Sequence, residues 1–410
     1  MCQASTCVDG LCTIACPQDP SDRCPQGTVC AKQTCQLPLA VGFLYPGEFS
    51  QEEYTLSFER ARDEIKSALA YSSLAYLEDV ASASTVHDSA TSFLAQGRPV
   101  IVATSPSHGP LLLDFADENP DATLFVVGAR VTRPNLVSFD TRTYQAYYLA
   151  GIAAARKTTS HRLGMIGSSY TPSVLASINA FALGARAVDP ANVVALKWIG
   201  AAHDMEPHVQ GKSRERIYTE QLLADGADVI AHTLDNNIPV YTVAEQPTNV
   251  LAIAANVPDA CEIKPSRCLG SVYFNWGPLL ISLLDGYHRQ RLPDPPSVLE
   301  GILVSRTESS FGFLLSDGIV GAPAIQLALD DALTALASDE GVGRVFDGPL
   351  QSTGQCEAKT GAPQCVPSGA RLDDAGLRDM CWLVQGIVER SGGVDAPALV
   401  PELGDCAPSN

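Results

Sequence analysis

Positive charge is scarce in this chain, with 27 lysines and arginines against 46 aspartates and glutamates and a formal net charge of −19. Nucleic-acid affinity comes largely from cations that neutralise phosphates, so the charge balance argues against a nucleic-acid partner. Long apolar runs are also missing: no uncharged stretch approaches the ~18 residues that read as a membrane span. Catalytic signatures are absent too, with no G-x-S-x-G elbow, no Walker-type phosphate loop and no H-E-x-x-H pair. Gly164 to Ser169 is rich in glycine and serine. It lacks the third glycine and downstream acid of a dinucleotide fingerprint and reads as a tight strand-to-helix turn. No repeat, collagenous or coiled-coil pattern is present.

What is present in excess is cysteine. Thirteen in 410 residues point to an oxidising compartment, since cytosolic thiols are kept reduced. Seven of them, Cys2, Cys7, Cys12, Cys16, Cys24, Cys30 and Cys35, fall in residues 1–37, which hold almost no aliphatic core. Residues 1–37 are therefore expected to be a small module in which disulfides replace packing. Zinc is the competing reading, but the segment has no histidine and no paired C-x2-C. The other six pair most simply by proximity, as Cys261 with Cys268, Cys356 with Cys365 and Cys381 with Cys406, one of 15 connectivities open to six cysteines. The odd cysteine is assigned to Cys2. With no positively charged start and no apolar h-region, the chain is expected to have lost an export signal, leaving Cys2 as a lipid-anchor cysteine and Met1 as an addition. Pairing of Cys2 with Cys7 or Cys12 is the alternative.

After Leu37 the composition changes abruptly. Apolar runs recur at Ala40–Leu44, Val100–Ala103, Thr123–Val127, Leu136–Phe139, Leu163–Ile166, Val193–Trp198, Val229–His232 and Val250–Ala254. Stretches with helical spacing, Glu52–Ala70, Tyr144–Arg156, Ser173–Ala187 and Ser213–Ala224, lie between them. Strand and helix alternate, which predicts α/β domains with parallel sheets. Ligands of such sheets collect at the carboxyl ends of strands. That criterion selects segments carrying Tyr45, Tyr54, Ser105, Tyr170, Asp204, Asp235, Asn256, Asn275 and Trp276. Aromatic faces with carboxylates and amides are what a planar heterocycle needs, a ring to stack on and acceptors at its edge. The Tyr144, Tyr147, Tyr148 group has the helical spacing of core packing. His203-Asp204-Met205-Glu206-Pro207-His208 is dense in metal-type ligands. Pro207 breaks the helix that would align its histidines, so no metal site is expected there, and no nucleophile or oxyanion donors accompany Asp204 and Asp235.

Four segments in order, Tyr144 to Gly151, Ile178 to Arg186, Gly226 to Asp235 and Asn275 to Pro278, together resemble the basic-membrane-protein family of extracytoplasmic binding proteins. That group includes PnrA-like purine-nucleoside receptor lipoproteins of ABC transporters. The resemblance runs from about Val41 to Glu389 and extends to Thr104-Ser105, to Val345–Pro349 and to Met380–Glu389. It implies a type I periplasmic-binding-protein fold, two doubly wound lobes joined by hinge crossovers. Lobe 1 would be residues 38–140 and 257–310, and lobe 2 residues 141–256 and 311–410, with hinges near Phe139–Thr141 and Ala255–Pro258. It implies ligand between the lobes, bound by Tyr54, Ser105, Tyr144, Asp204, Asp235, Asn256, Asn275 and Trp276, with no cofactor. The ligand would be a purine nucleoside or base, handed to an ABC permease at a bacterial cell envelope, in the periplasm or at the cell surface. A surface ligand sensor without transport is the alternative, and an enzyme built on His203 to His208 a distant third. Two departures stand out. Relatives carry Trp-Phe before the aspartate where this chain has Ala202-His203-Asp204, and Ser-Phe-Gly-Phe where it has Ser105-Pro106-Ser107-His108.

Protein purified from its native host is expected to carry an acyl mass on Cys2, with Cys7 to Cys35 closed into three disulfides. Finding Cys2 in a disulfide-linked peptide by mass spectrometry would dispose of the anchor.

Overall fold

The computed structural model describes residues 38–390 apart from 205, 248, 320, 339–343 and 353–363, together with the backbone of four short strands that precede them. Those strands, β1 (Thr6–Val8), β2 (Leu11–Ala15), β3 (Val29–Ala31) and β4 (Thr34–Gln36), form one antiparallel sheet in the order β1-β2-β4-β3. Its register sets Cys7 across from Cys12 and Cys30 across from Cys35. Cys2, Cys356 and Cys406 lie outside the described residues, and so does the test of the bridges expected for them. Cys261 and Cys268 are joined, as their spacing suggests.

The chain divides into two compact units, residues 1–140 with 275–299 and residues 141–274 with 300–410. The first is built on a sheet of β5 (Leu39–Leu44), β6 (Ser72–Leu77), β7 (Val100–Ala103), β8 (Thr123–Val127), β9 (Leu136–Thr141) and β15 (Ser297–Glu300), in the order β15-β9-β8-β7-β5-β6. Strands β5 to β9 are parallel. Their runs are hydrophobic throughout, because a parallel sheet is covered on both faces. The connections carry α1 (Glu53–Ala68), α2 (Ala83–Ala95), α3 (His108–Leu111) and α4 (Leu113–Glu118), and α9 (Gly277–His288) returns to pack on α1. Ser82 caps α2 in a capping box with Thr85, satisfying amides that the first turn leaves open.

The second unit holds β10 (Arg162–Gly167), β11 (Val193–Trp198), β12 (Val229–His232), β13 (Leu251–Asn256), β14 (Cys268–Phe274), β16 (Phe311–Leu315) and β19 (Ile387–Glu389), in the order β16-β14-β13-β12-β10-β11-β19. Only the β14–β16 pair is antiparallel. Residues 257–274, placed with the first lobe by the resemblance, run in this unit because β14 extends the sheet beside β13. Helices α5 (Tyr144–Ala155), α6 (Pro172–Val188) and α10 (Ala322–Ala337) belong to one apolar cluster; α7 (Arg214–Ala224) and α8 (Ile238–Ala244) belong to another. A short ribbon of β17 (Leu350–Gln351) and β18 (Gln364–Val366), then α11 (Asp374–Arg378), lead to β19. The Asn179 amide fastens that tail, donating to the Trp382 carbonyl at 2.8 Å and accepting the Val384 N–H at 2.9 Å. Among the described residues no helix is long and apolar enough to cross a membrane.

Helices α5 and α6 touch backbone to backbone. A Cβ on Gly151 would stand 2.1 Å from the Phe181 carbonyl oxygen, and one on Gly184 would stand 2.1 Å from the Tyr148 carbonyl oxygen. Both obstacles are main chain in regular helix and cannot step aside. Gly184→Ala is therefore expected to cost ~1–3 kcal/mol or more through overpacking. An unchanged urea midpoint would show that the two helices lie farther apart.

Candidate functional site

In the first unit the sequence-selected residues follow the carboxyl ends of β5, β7 and β14. Tyr54, in the first turn of α1, is half-buried, its ring edge-on to Phe58 at 5.5 Å. Phe58 stacks on Trp276 at 4.7 Å with 9° between the planes. The indole N–H of Trp276 donates to Ser57 Oγ at 3.2 Å, and Ser57 Oγ donates to the Tyr54 carbonyl at 2.6 Å. Trp276 is only 1% exposed. It is a core plug that supports the turn bearing Tyr54, where the sequence reading made it a ligand contact. The rest of its motif has equally local reasons. Gly277 lets α9 approach the Glu64 carboxylate, which a Cβ would meet at 1.8 Å, and Pro278 sits in the first turn of α9, where its missing N–H costs nothing. Asn275, at the start of the motif, is half-buried.

Ser105 is half-buried, its hydroxyl 2.7 Å from that of Ser107, while the buried Thr104 hydroxyl donates to the Leu44 carbonyl at 2.9 Å and ties β7 to β5. His108 is fully buried, its Nε2 2.7 Å from the Val80 carbonyl, and burial pushes its pKa down to about 4. The aromatic of relatives at position 108 thus corresponds to an interior position here, so that departure removes no exposed ring; Pro106 is the exposed change. Sequence reading also missed Glu52, 8% exposed, which accepts a hydrogen bond from Thr55 Oγ1 at 2.9 Å. Gly47 makes room for its carboxylate, since a Cβ there would lie 2.3 Å from Oε1.

In the second unit Tyr144 opens α5 but is 6% exposed and edge-on to Phe346 at 5.4 Å. Its ring is spent on the core. Tyr170 leans on Trp198 at 5.1 Å, and the Trp198 indole donates to Glu389 at 2.8 Å. Asp204, Asp235 and Asn256 are brought together. The Asp235 N–H donates to the Ala202 carbonyl at 3.1 Å, joining the loops after β11 and β12. The Asp204 carboxylate takes Arg214 Nη1 at 2.9 Å on one oxygen and His208 Nε2 at 2.9 Å on the other. The ligand-dense segment from His203 to His208 is therefore a salt-bridged loop. Asn256 ends β13 with φ +76°, in the left-handed region, and its Nδ2 donates to the Leu234 carbonyl at 2.8 Å. A non-glycine residue held there is strained backbone, which persists only where its surroundings over-determine it.

Behind these residues lies His232, 1% exposed. Its Nε2 lies 3.1 Å from Asn237 Oδ1, and its Nδ1 accepts the Leu234 N–H at 3.3 Å. The Asn237 amide is oriented by Ala255, donating to its carbonyl at 3.0 Å and accepting its N–H at 2.9 Å. Nε2 therefore carries the proton, and the ring is neutral. Burial lowers its pKa to about 4, against the opposing pull of the Asn237 bond.

Comparisons with known proteins find relatives of this chain. A purine-binding protein of Brucella abortus (strain 2308) is 25% identical over 357 residues, 86% of this chain and 93% of that protein. A Haloferax volcanii protein named as an ABC transporter glucose-binding protein is 28% identical over 251 residues, 60% of this chain and 61% of that one. Among solved structures, an ABC transporter solute-binding protein of Conexibacter woesei superposes with a TM-score of 0.59 at 19% identity, covering 74% of this chain and 97% of that one. One from Aeropyrum pernix gives 0.58 at 14% identity, covering 78% and 94%. These likenesses show the type I periplasmic-binding-protein fold.

Native His232 and His108 refuse a proton that the unfolded chain accepts near pH 6.5, so stability is full above that pH and is lost as pH falls toward 4. The expected slope is about 1.4 kcal/mol per pH unit for each histidine. Denaturant titrations from pH 7.5 to 5 measure it, and His232→Gln should remove that residue's share. A pH-independent midpoint across the window would contradict the neutral rings.

The family model for PnrA-like ABC transporter substrate-binding proteins matches residues 39–299, and the chain belongs to that family.

Proposed function

We propose that this protein captures a purine nucleoside or purine base outside the cytoplasm and passes it to an ABC permease, with Tyr54 as the stacking ring and Asp235 as the principal acceptor. The observation that carries the reading is the pair of carboxylates, Asp204 and Asp235, set on loops that share a backbone hydrogen bond. Asp235 can accept from the hydroxyls and amines of a nucleoside, and a carboxylate there disfavours a nucleotide's phosphate, while Asp204, already holding Arg214 and His208, can offer only its remaining lone pairs. The Brucella relative's purine-binding name supports the same class. Ser105, Asn256 and Asn275 are proposed as polar neighbours of the ligand. Trp276 and Tyr144 are proposed to act through packing.

A hexose is the second reading, favoured by the Haloferax relative's name. Its hydroxyls would satisfy the same acceptors, but it has no flat π face to reward Tyr54. A sensor without transport would bind the same ligand, and a permease and ATPase encoded beside this chain would separate that case.

Calorimetric titration of ligand-stripped protein with adenosine, guanosine, inosine, the free bases, adenosine 5′-phosphate and glucose decides among these. At least one purine nucleoside or base should bind, and the phosphate should bind at least roughly tenfold more weakly than adenosine. Tyr54→Ala should cost ~1–3 kcal/mol of binding through lost stacking. Asp235→Ala should cost about 1.5–3 kcal/mol, the worth of a charge-assisted bond. Asp235→Ala should leave the melting temperature of the empty protein unchanged, and Tyr54→Ala should lower it only by the loss of the Phe58 edge contact, worth about 0.5–1.5 kcal/mol. If no purine binds at millimolar concentration, the ligand reading fails; if purines bind and neither substitution matters, the site reading fails.

A further inference from the structure

Glu215 is 0% exposed, and a carboxylate out of water is costly unless its lone pairs are used. It occupies the first turn of α7, on the buried stripe it shares with Tyr218, Thr219 and Leu222. One oxygen, Oε1, accepts the backbone N–H of Asp204 at 2.5 Å and the side-chain N–H of Asn236 at 3.1 Å. The other, Oε2, is buried and accepts no hydrogen bond from the described residues. Asn236, 3% exposed, is fixed from its other end, its Oδ1 accepting the Ile238 N–H at 3.1 Å. One buried oxygen therefore staples the loop carrying Asp204 to the turn carrying Asp235. The neighbouring Arg214 holds the Asp204 side chain while Glu215 holds its backbone.

We propose that Glu215 is a positioning residue for ligand capture, a buried carboxylate that sets the Asp204 loop and the Asp235 turn in register. It rests on the reading of Asp204 and Asp235 as ligand acceptors. A core position serving packing alone would hold an apolar side chain of similar volume without the desolvation cost. The acid is explained by its two donors. Both are polar hydrogens of the loops that bear the candidate acceptors, one part-buried and one buried, and each meets its acceptor in the same carboxylate oxygen. Glutamine at this position keeps the shape but not the charge. Its carbonyl replaces Oε1 as a weaker acceptor for the two donors.

The test uses the full chain with Glu215→Gln and has two arms. In the ligand-free protein, hydrogen exchange followed by mass spectrometry should show segments 199–213 and 233–238 exchanging roughly tenfold faster, with β10 and the first unit unchanged. Asn236→Ala, which keeps the carboxylate and removes one donor, should loosen 233–238 and leave 199–213 slow. Unchanged exchange in Glu215→Gln, or uniform acceleration across the second unit, overturns the proposal. In the second arm, with adenosine as probe, Glu215→Gln should weaken binding about tenfold or more, and that loss should shrink in an Asp235→Ala background. Equal losses in both backgrounds overturn it. If adenosine does not bind, the ligand reading is at fault, and the exchange arm still decides the role of Glu215.

Discussion

The second unit's face depends on the paired hydrogen bonds between the Asn237 side chain and the backbone of Ala255. Strand β12 ends at His232 while β13 runs on to Asn256, so the last residues of β13 would bury polar groups with no ladder partner. A primary amide presents the same donor and acceptor as a peptide unit, and Asn237 uses it to extend the ladder beyond β12. Such bonds are worth only about 0.5–1.5 kcal/mol each, but leaving the groups unpaired costs more. Once Asn237 is fixed, His232 has a defined tautomer, and the Leu234 N–H has an acceptor in its Nδ1. Asn256 then takes the Leu234 carbonyl. The backbone on either side of Asp235 is set by this sequence of commitments.

The sheet strands were legible because their physics is local. Runs read as Val100–Ala103, Thr123–Val127, Val193–Trp198 and Val229–His232 reappear as β7, β8, β11 and β12 with the same bounds. Strand β6 escaped because it lies at the sheet edge, with its side chains half-buried or exposed, and shows no unbroken apolar run. Strand β14 escaped because Gly270 and Ser271 interrupt it; that glycine admits Phe313 from β16, whose ring a Cβ would meet at 2.5 Å. Misplacing β14 moved the expected second crossover back from Phe274 to Asn256.

The candidate site was legible only in part. Position relative to strand ends selected Asp204, Asp235 and Asn256, which the fold does bring together. The same rule selected Trp276, which is 1% exposed, because aromatics near strand ends serve cores as readily as ligands; Tyr144 entered through the resemblance, against the core-packing spacing of its own helix. The supporting polar residues, Glu215, Asn236 and Asn237, bond across segments separated by 11 to 21 positions, and no local pattern encodes such pairings. One signal was available. Glu215 falls in the i, i+3, i+4, i+7 stripe of an amphipathic helix otherwise filled by Tyr218, Thr219 and Leu222, and an acid on an apolar stripe marks a partner to be found.

The departures from the family pattern can be weighed by burial. Position 108 faces the interior of the first unit, where His108 bonds to the Val80 carbonyl. Losing an aromatic there changes packing and removes nothing that could face a ligand. Ala202 and His203 differ in kind, being half-buried and beside Asp204. Replacing two large rings by Ala and His near the acceptors removes π surface and leaves the hydrogen-bonding groups in place. Under the proposed reading, discrimination between a flat heterocycle and another hydroxyl-bearing solute would fall on Tyr54 more heavily than where those rings are kept. The ring of Tyr54 is braced, with Phe58 at its edge and Trp276 stacked behind Phe58. A ring held by two others loses little freedom on stacking, so more of the contact energy remains for selecting the ligand.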